Sequence, residues 1–383
     1  MMKRIALPLW LFAVGTLMAG CGGGDSSSNS PAPTTSSIAA TSSSLASSSS
    51  SVIISSSSAS TNSSSTNSSA GVTFAKGADV SWLTEMEASD KKFYNKSGAQ
   101  KDLLDVLKEQ GMDSIRLRVW VNPADGKYNN MTDVLAKAKR VKAAGMKLMI
   151  DFHYSDSWAD PAKQTKPAAW AAYTVDQLVT AIADHTRSSL IMLRDAGIAP
   201  EWVQVGNEIS NGMLWDEGRA STNMKNYARF VTSGYDAVKE IFPNALVIVH
   251  LDNCYDNALY QWNIGGLKDN GGKFDVIGAS AYPTYRSGST WQITNTQCLA
   301  NLNDMVDRYK VPVMIAEVGA PWDNVDAKAI VADIIAKVRL VKNNQGIGVF
   351  YWEPEAYGNW KSYSLGAFDN SGKPASAMDA FLE

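Results

Sequence analysis

Histidine and cysteine are scarce in this 383-residue chain, three of each. Nowhere do they cluster at metal-ligand spacing, so no metal site is expected. An excess of one charge is also lacking: 35 Lys and Arg against 38 Asp and Glu give a net charge of −3. That balance gives no support for nucleic-acid binding. No glycine-rich loop follows the first strand-like segment, which argues against a dinucleotide site. The apolar stretch at residues 5–18 is too short for a comfortable membrane span. No cofactor is expected, and the chain is expected to act as a monomer.

The first twenty residues read instead as a targeting segment, with Lys3 and Arg4 ahead of the apolar stretch. Leu17-Met18-Ala19-Gly20-Cys21 resembles a bacterial lipoprotein cleavage site, after which Cys21 would carry the lipid; an ordinary secretory signal is the alternative. Either way export is expected, and an acyl chain would tether the protein to a membrane at the cell surface rather than span it. Residues 21–70 then form a Ser-rich stretch too poor in apolar side chains to offset the entropy of ordering. It reads as a flexible, disordered linker. Residues 71–383 remain as one globular domain, a size that α/β barrels commonly reach without splitting. Cys254 and Cys298 lie within it and could pair or remain as two buried thiols.

Across this domain, strand-like and helix-like segments alternate. Strands are expected near 74–80, 114–120, 147–153, 202–207, 246–250, 276–282, 313–317 and 348–352. Helical spacing marks 100–110, 131–144, 175–196, 224–241, 296–309 and 327–342. Val134, Ala138 and Val141, for example, share one face. Gly111, Gly145 and Gly197 follow such stretches as helix ends, and Thr132 or Thr174 are candidate caps. Eight β/α repeats imply a closed parallel (β/α)8 TIM barrel rather than an open sheet with two edges.

In such a barrel the C-terminal strand ends carry the chemistry. Here every one is polar: Asp79, Arg116 and Arg118, Asp151 and His153, Asn207 and Glu208, His250 and Asp252, Tyr282, Glu317, and Trp352-Glu353. A carboxylate is costly on a buried strand, so Glu208 and Glu317 are expected to face a water-filled cleft. Two such glutamates are what glycosidic hydrolysis needs, one protonated and one ionised. Aromatic faces stack on pyranose rings. Of Trp82, Trp120, Trp158, Trp322, Trp352 and Trp360, the expectation of sugar contact falls on Trp352 and Trp360, whereas Trp120 and Trp202 are as readily packing residues. Arg118 and His250 are left open between core and site, and His185 is expected at the surface.

The strand ends resemble the large clan of retaining barrel glycosidases. More narrowly, the segments beginning Arg116-Leu-Arg-Val-Trp, Asp151-Phe-His-Tyr-Ser and Gly206-Asn-Glu, with His250-Leu-Asp-Asn and Phe350-Tyr-Trp-Glu-Pro, resemble glycoside hydrolase family 53, the arabinogalactan endo-β-1,4-galactanases. The resemblance implies Glu208 as acid/base, Glu317 as nucleophile, and Asn207 on the sugar's 2-hydroxyl. It further implies Arg116 beside Glu317, Tyr282 donating to that nucleophile, and Trp352 as the apolar floor. His153 and Asp79 are further contacts. The implied substrate is β-1,4-galactan of pectin side chains. Mannan, glucan or xylan, or a non-catalytic glycan-binding role, are the alternatives. Some bacterial members bind calcium in a late loop. Asp323, Asn324 and Asp326 read here as a helix cap, so calcium is not expected.

Overall fold

The computed structural model describes residues 73–383; the targeting segment, Cys21 and the serine-rich stretch lie outside the described residues. Eight parallel strands close on themselves in chain order: β1 (Ala75–Asp79), β2 (Ser114–Val119), β3 (Lys147–Phe152), β4 (Trp202–Val205), β5 (Leu246–Leu251), β6 (Val276–Ala281), β7 (Val313–Val318) and β8 (Gly346–Trp352). β8 pairs back onto β1, with Asp79 opposite Trp352. The barrel is thus the expected one, without a free edge.

Around it run α1 (Leu83–Ala88) and α2 (Leu103–Glu109), then α3 (Met131–Ala143), α4 (Val175–Asp195), α5 (Ala220–Ile241), α6 (Asn257–Asp269), α7 (Trp291–Tyr309) and α8 (Ala327–Arg339). Three details differ from the sequence reading. Gln100–Lys101 is a strand paired with Phe93–Tyr94, and α2 starts only after Asp102, whose carboxylate accepts from the Leu104 amide at 2.8 Å. Asn130, not Thr132, caps α3, whereas Thr174 does cap α4 with Gln177 completing a reciprocal capping box. The Asp326 side chain does not cap α8. Helices α1 and α6 have no counterpart among the expected helices: α1 is only six residues long, and the buried face of α6 includes the polar Asn263.

Two layers of apolar packing follow. The larger lies between strands and helices. The smaller plugs the barrel interior with Ala75, Met149, Trp202, Ile248, Val276, Met314, Ile347 and Phe350. Trp202 therefore belongs to packing, its ring edge-on to Phe350 at 5.9 Å. Gly77 is required opposite: a Cβ there would meet the Phe350 ring at 2.2 Å. With this end filled, polar side chains collect at the other, where the strands finish.

Candidate active site

Arg116, on β2, is fully buried and organises the floor. Its guanidinium lies 2.9 Å from each of Asp79, Asp151 and Glu317, and donates to Asn207 Oδ1 at 2.8 Å. Burial alone would make this cation easier to neutralise, but three carboxylates around it reverse that and hold it charged. Asp151 is held below the usual carboxylate range: burial opposes ionisation, but Arg116 and then His153 outweigh it. Asp79 spends its oxygens on Arg116 and on the Ser81 amide and hydroxyl. It is wholly buried beneath the cleft, so the expected contact of Asp79 with sugar is corrected to support of Arg116.

Glu208 and Glu317 line one cleft of about 410 Å³, together with Trp82, His153, Trp158, Asn207, Tyr282 and Trp352. Their environments differ. Burial pushes Glu317 up to about 7, opposed by the adjacent Arg116 and by the Tyr282 hydroxyl donating at 2.8 Å. Burial also pushes Glu208 well above the usual range, and the charge of Glu317 pushes it further. Against this stands chiefly the Ser280 hydroxyl, 2.6 Å from Glu208 Oε1. Of the pair, Glu208 holds the proton more tightly and Glu317 is the one kept toward its charged form. Tyr282 stays a donor, because burial and Glu317 raise its own ionisation well above 10. The Glu208 backbone sits at φ 45°, a left-handed conformation unusual for a side-chain-bearing residue, just after Gly206 at φ 88°.

Behind the glutamates lies a hydrogen-bonded layer that the sequence reading left open or missed. His250 Nε2 is 2.8 Å from Ser280 Oγ, and the amides of Glu208 and Gln204 point at its Nδ1 from 3.3 and 3.0 Å. Burial, then Arg116, keeps this histidine neutral. Gln204 joins it to Asp151 at 2.7 Å and to Arg116 at 3.2 Å. Gln204 and Ser280 had a legible signal: each interrupts an apolar strand, and Ser280 shares Tyr282's face two residues earlier. His153, lining the cleft, faces Asp151 through Nε2 at 3.0 Å, while the Trp120 indole and the Ala159 amide donate to its Nδ1.

Trp82, Trp158, Trp352 and Tyr363 meet edge-on or tilted, with centroids 4.7–5.9 Å apart where they touch. Arg118 lies under them, ion-paired to Glu353 and 4.3 Å from the Trp158 ring centre. It therefore supports the aromatic wall rather than entering the cleft. Trp360 is corrected: its ring packs against the core and its indole nitrogen is buried, while its neighbours Lys361, Ser362 and Tyr363 line the cleft. His185 is corrected too. It sits among Phe152, Tyr154 and Trp170, and burial lowers it to about 4. Cys254 and Cys298 are paired as a disulfide.

Two carboxyls at the ends of β4 and β7, Glu208 half-buried and Glu317 buried, unequally disposed to hold a proton beside an aromatic wall, define a glycoside hydrolase on a (β/α)8 barrel. The chain belongs to glycosyl hydrolase family 53, whose family model matches residues 75–381. An arabinogalactan endo-beta-1,4-galactanase of Thermothelomyces thermophilus is 34% identical over 337 residues, covering 80% of this chain and 98% of that protein. A fungal β-1,4-galactanase structure superposes with a TM-score of 0.74 at 32% identity, covering 80% of this chain and 98% of that one. The family 53 catalytic domain of Ignisphaera aggregans gives 0.74 at 28% identity, over 82% and 97%.

Proposed function

We propose that the protein is a retaining endo-β-1,4-galactanase acting on (arabino)galactan side chains of pectin. The observation that carries the mechanism is the unequal pair in one cleft: Glu317 braced by Arg116 and Tyr282, Glu208 raised by burial and by Glu317. Glu208 gives its proton to the glycosidic oxygen as that bond breaks, and Glu317 attacks the anomeric carbon to form an ester. Glu208, now ionised, takes a proton from water, whose oxygen displaces Glu317 and restores both carboxyls. Asn207 has one Nδ2 hydrogen on the Ala159 carbonyl, which leaves the other for the sugar's 2-hydroxyl. Trp352 offers its face to the pyranose ring. The galactan assignment rests on the relatives' activities.

The test is product release from linear β-1,4-galactan beside mannan, xylan and cellulose derivatives. Rapid viscosity loss with short galacto-oligosaccharides on galactan alone is expected, and cleavage only of another polymer overturns the substrate. Glu317→Ala is expected to abolish turnover while polymer binding persists; unchanged turnover refutes the mechanism. We also propose a lipid anchor on Cys21 at the bacterial surface. Cys21→Ser is then expected to release the protein from membranes, and its persistence there counts against lipidation.

A further inference from the structure

Glu208, Tyr282 and Tyr285 line not only the main cleft but also a second cavity of about 160 Å³, which contains Glu208 without Glu317. Its outer wall includes Asp252, Tyr255 and Arg286. Tyr255 and Arg286 in turn border a third depression of about 460 Å³ that reaches Asp304. The three spaces thus share residues in series, leading away from the catalytic pair. In the hydrolytic reading above, the attacked sugar lies against Glu317, and the departing one hangs from the oxygen that Glu208 protonates. A space that has Glu208 but not Glu317 is where the departing chain belongs.

The chemistry of this wall fits neutral sugar. The Arg286 guanidinium stacks 4.0 Å from the Tyr255 ring centre, joining an aromatic surface to a fork of donors. Tyr285 stands 64% exposed at the junction, an aromatic surface that a polymer would cover. Asp252 shares the cavity with Arg286 and Glu208, so a uronate bound beside Glu208 would meet carboxyl as well as cation, whereas pyranose hydroxyls can donate to the one and accept from the other; Asp304, farther out, is already ion-paired to Arg308 at 2.7 Å. The platform is also braced. The Cys254–Cys298 disulfide adjoins Tyr255 on one side and Gln297, the partner of Arg286, on the other. The Cys254 amide donates to Ser280 O at 3.0 Å, and Asn301 Nδ2 donates to Cys254 O at 2.8 Å.

We infer that Tyr255 and Arg286 form the binding platform for the departing, uncharged end of the polysaccharide, held in place by the Cys254–Cys298 bridge. This rests on the hydrolase reading, and the test separates the two. Tyr255→Ala and Arg286→Ala are each compared with the unaltered protein on linear galactan and on β-galactobiosyl fluoride, whose leaving group is a single atom. The ratio of kcat/KM on galactan to that on the fluoride is expected to fall about tenfold in either variant, the scale of losing an aromatic or arginine anchor. Longer oligosaccharides on the departing side should lose their advantage. An unchanged ratio, or an equal fall on both substrates, overturns the platform. Arg286, only partly buried, guards against a Tyr255 variant that misfolds. If the unaltered protein cleaves mannan or xylan instead, the galactan reading alone fails. The same ratio, with that polymer and its disaccharide fluoride, then decides the platform.

Discussion

Replacing Ser280 by alanine isolates the one hydrogen bond that resists protonation of Glu208. The hydroxyl lies 2.6 Å from Glu208 Oε1 and is itself backed by His250 at 2.8 Å. A hydrogen bond to a charged group contributes about 1.5–3 kcal/mol and one to a neutral group about 0.5–1.5. The hydroxyl can donate to the carboxylate or accept from the acid, so only the difference, about 1–1.5 kcal/mol, bears on the ionisation. At 1.36 kcal/mol per unit, the Glu208 ionisation should rise by about 1 pH unit. The other charges facing Glu208 are Glu317 and Asp252, which raise it, and Arg116, which lowers it; all three remain in the variant. With the protonated form as the proposed donor to the leaving oxygen, the alkaline limb of kcat/KM on galactan should move up by that unit. The acid limb, which the proposal assigns to Glu317, should move less. An alkaline limb that stays in place or moves down in a folded variant refutes the assignment of Glu208 as the acid.

His185 offers a stability test. Its folded ionisation, near 4, lies below the ordinary 6.5, so stability present above pH 6.5 is lost as pH falls toward 4. His185→Phe should flatten the acid side of the Tm–pH curve, relieving roughly 2–4 kcal/mol; a parallel curve refutes the burial argument. Glu355 is fully buried beside Glu353, and burial and then Glu353 raise its ionisation well above normal. Stability should therefore fall as pH rises through that ionisation, and Glu355→Gln should raise Tm at pH 8–9 while changing it little at pH 5. Breaking the Cys254–Cys298 bridge, which spans 44 residues, should reduce stability by about 3–4 kcal/mol in the chain-entropy picture. Urea unfolding of Cys254→Ser measures this directly, and a midpoint that does not shift contradicts it.

Much of this site was legible because parallel barrels impose a simple rule on sequence. A polar residue that ends an apolar run in each of eight repeats must face the one end of the barrel left unfilled. That rule brought Arg116, Asn207, Glu208, Tyr282 and Glu317 into one neighbourhood before any coordinates. It failed for Asp79 because depth along the barrel axis depends on strand stagger: its carboxylate lies at the level of Arg116, below the cleft. It failed for Trp360 because a loop residue has no period to fix its direction, so the turn at Trp360–Ser362 presents its neighbours instead. His185 misled for a related reason, since a helix face that is polar overall still sank one imidazole among three aromatic rings.

The sequence by itself determined the eightfold alternation, the identity of the paired glutamates and the family. The first two follow from patterns of apolar period and from residue types whose burial is only tolerable at a strand end; the family follows from the resemblance of the segments beginning at Arg116, Asp151, Gly206, His250 and Phe350. The tertiary structure alone decided which glutamate holds the proton more tightly, since that depends on Arg116 at 2.9 Å from one and Ser280 at 2.6 Å from the other. It alone decided that Cys254 meets Cys298 and that Tyr255 and Arg286 stack. Proton affinity and side-chain pairing are set by distances of a few ångströms between residues far apart in the chain, and only closure of the barrel fixes those distances.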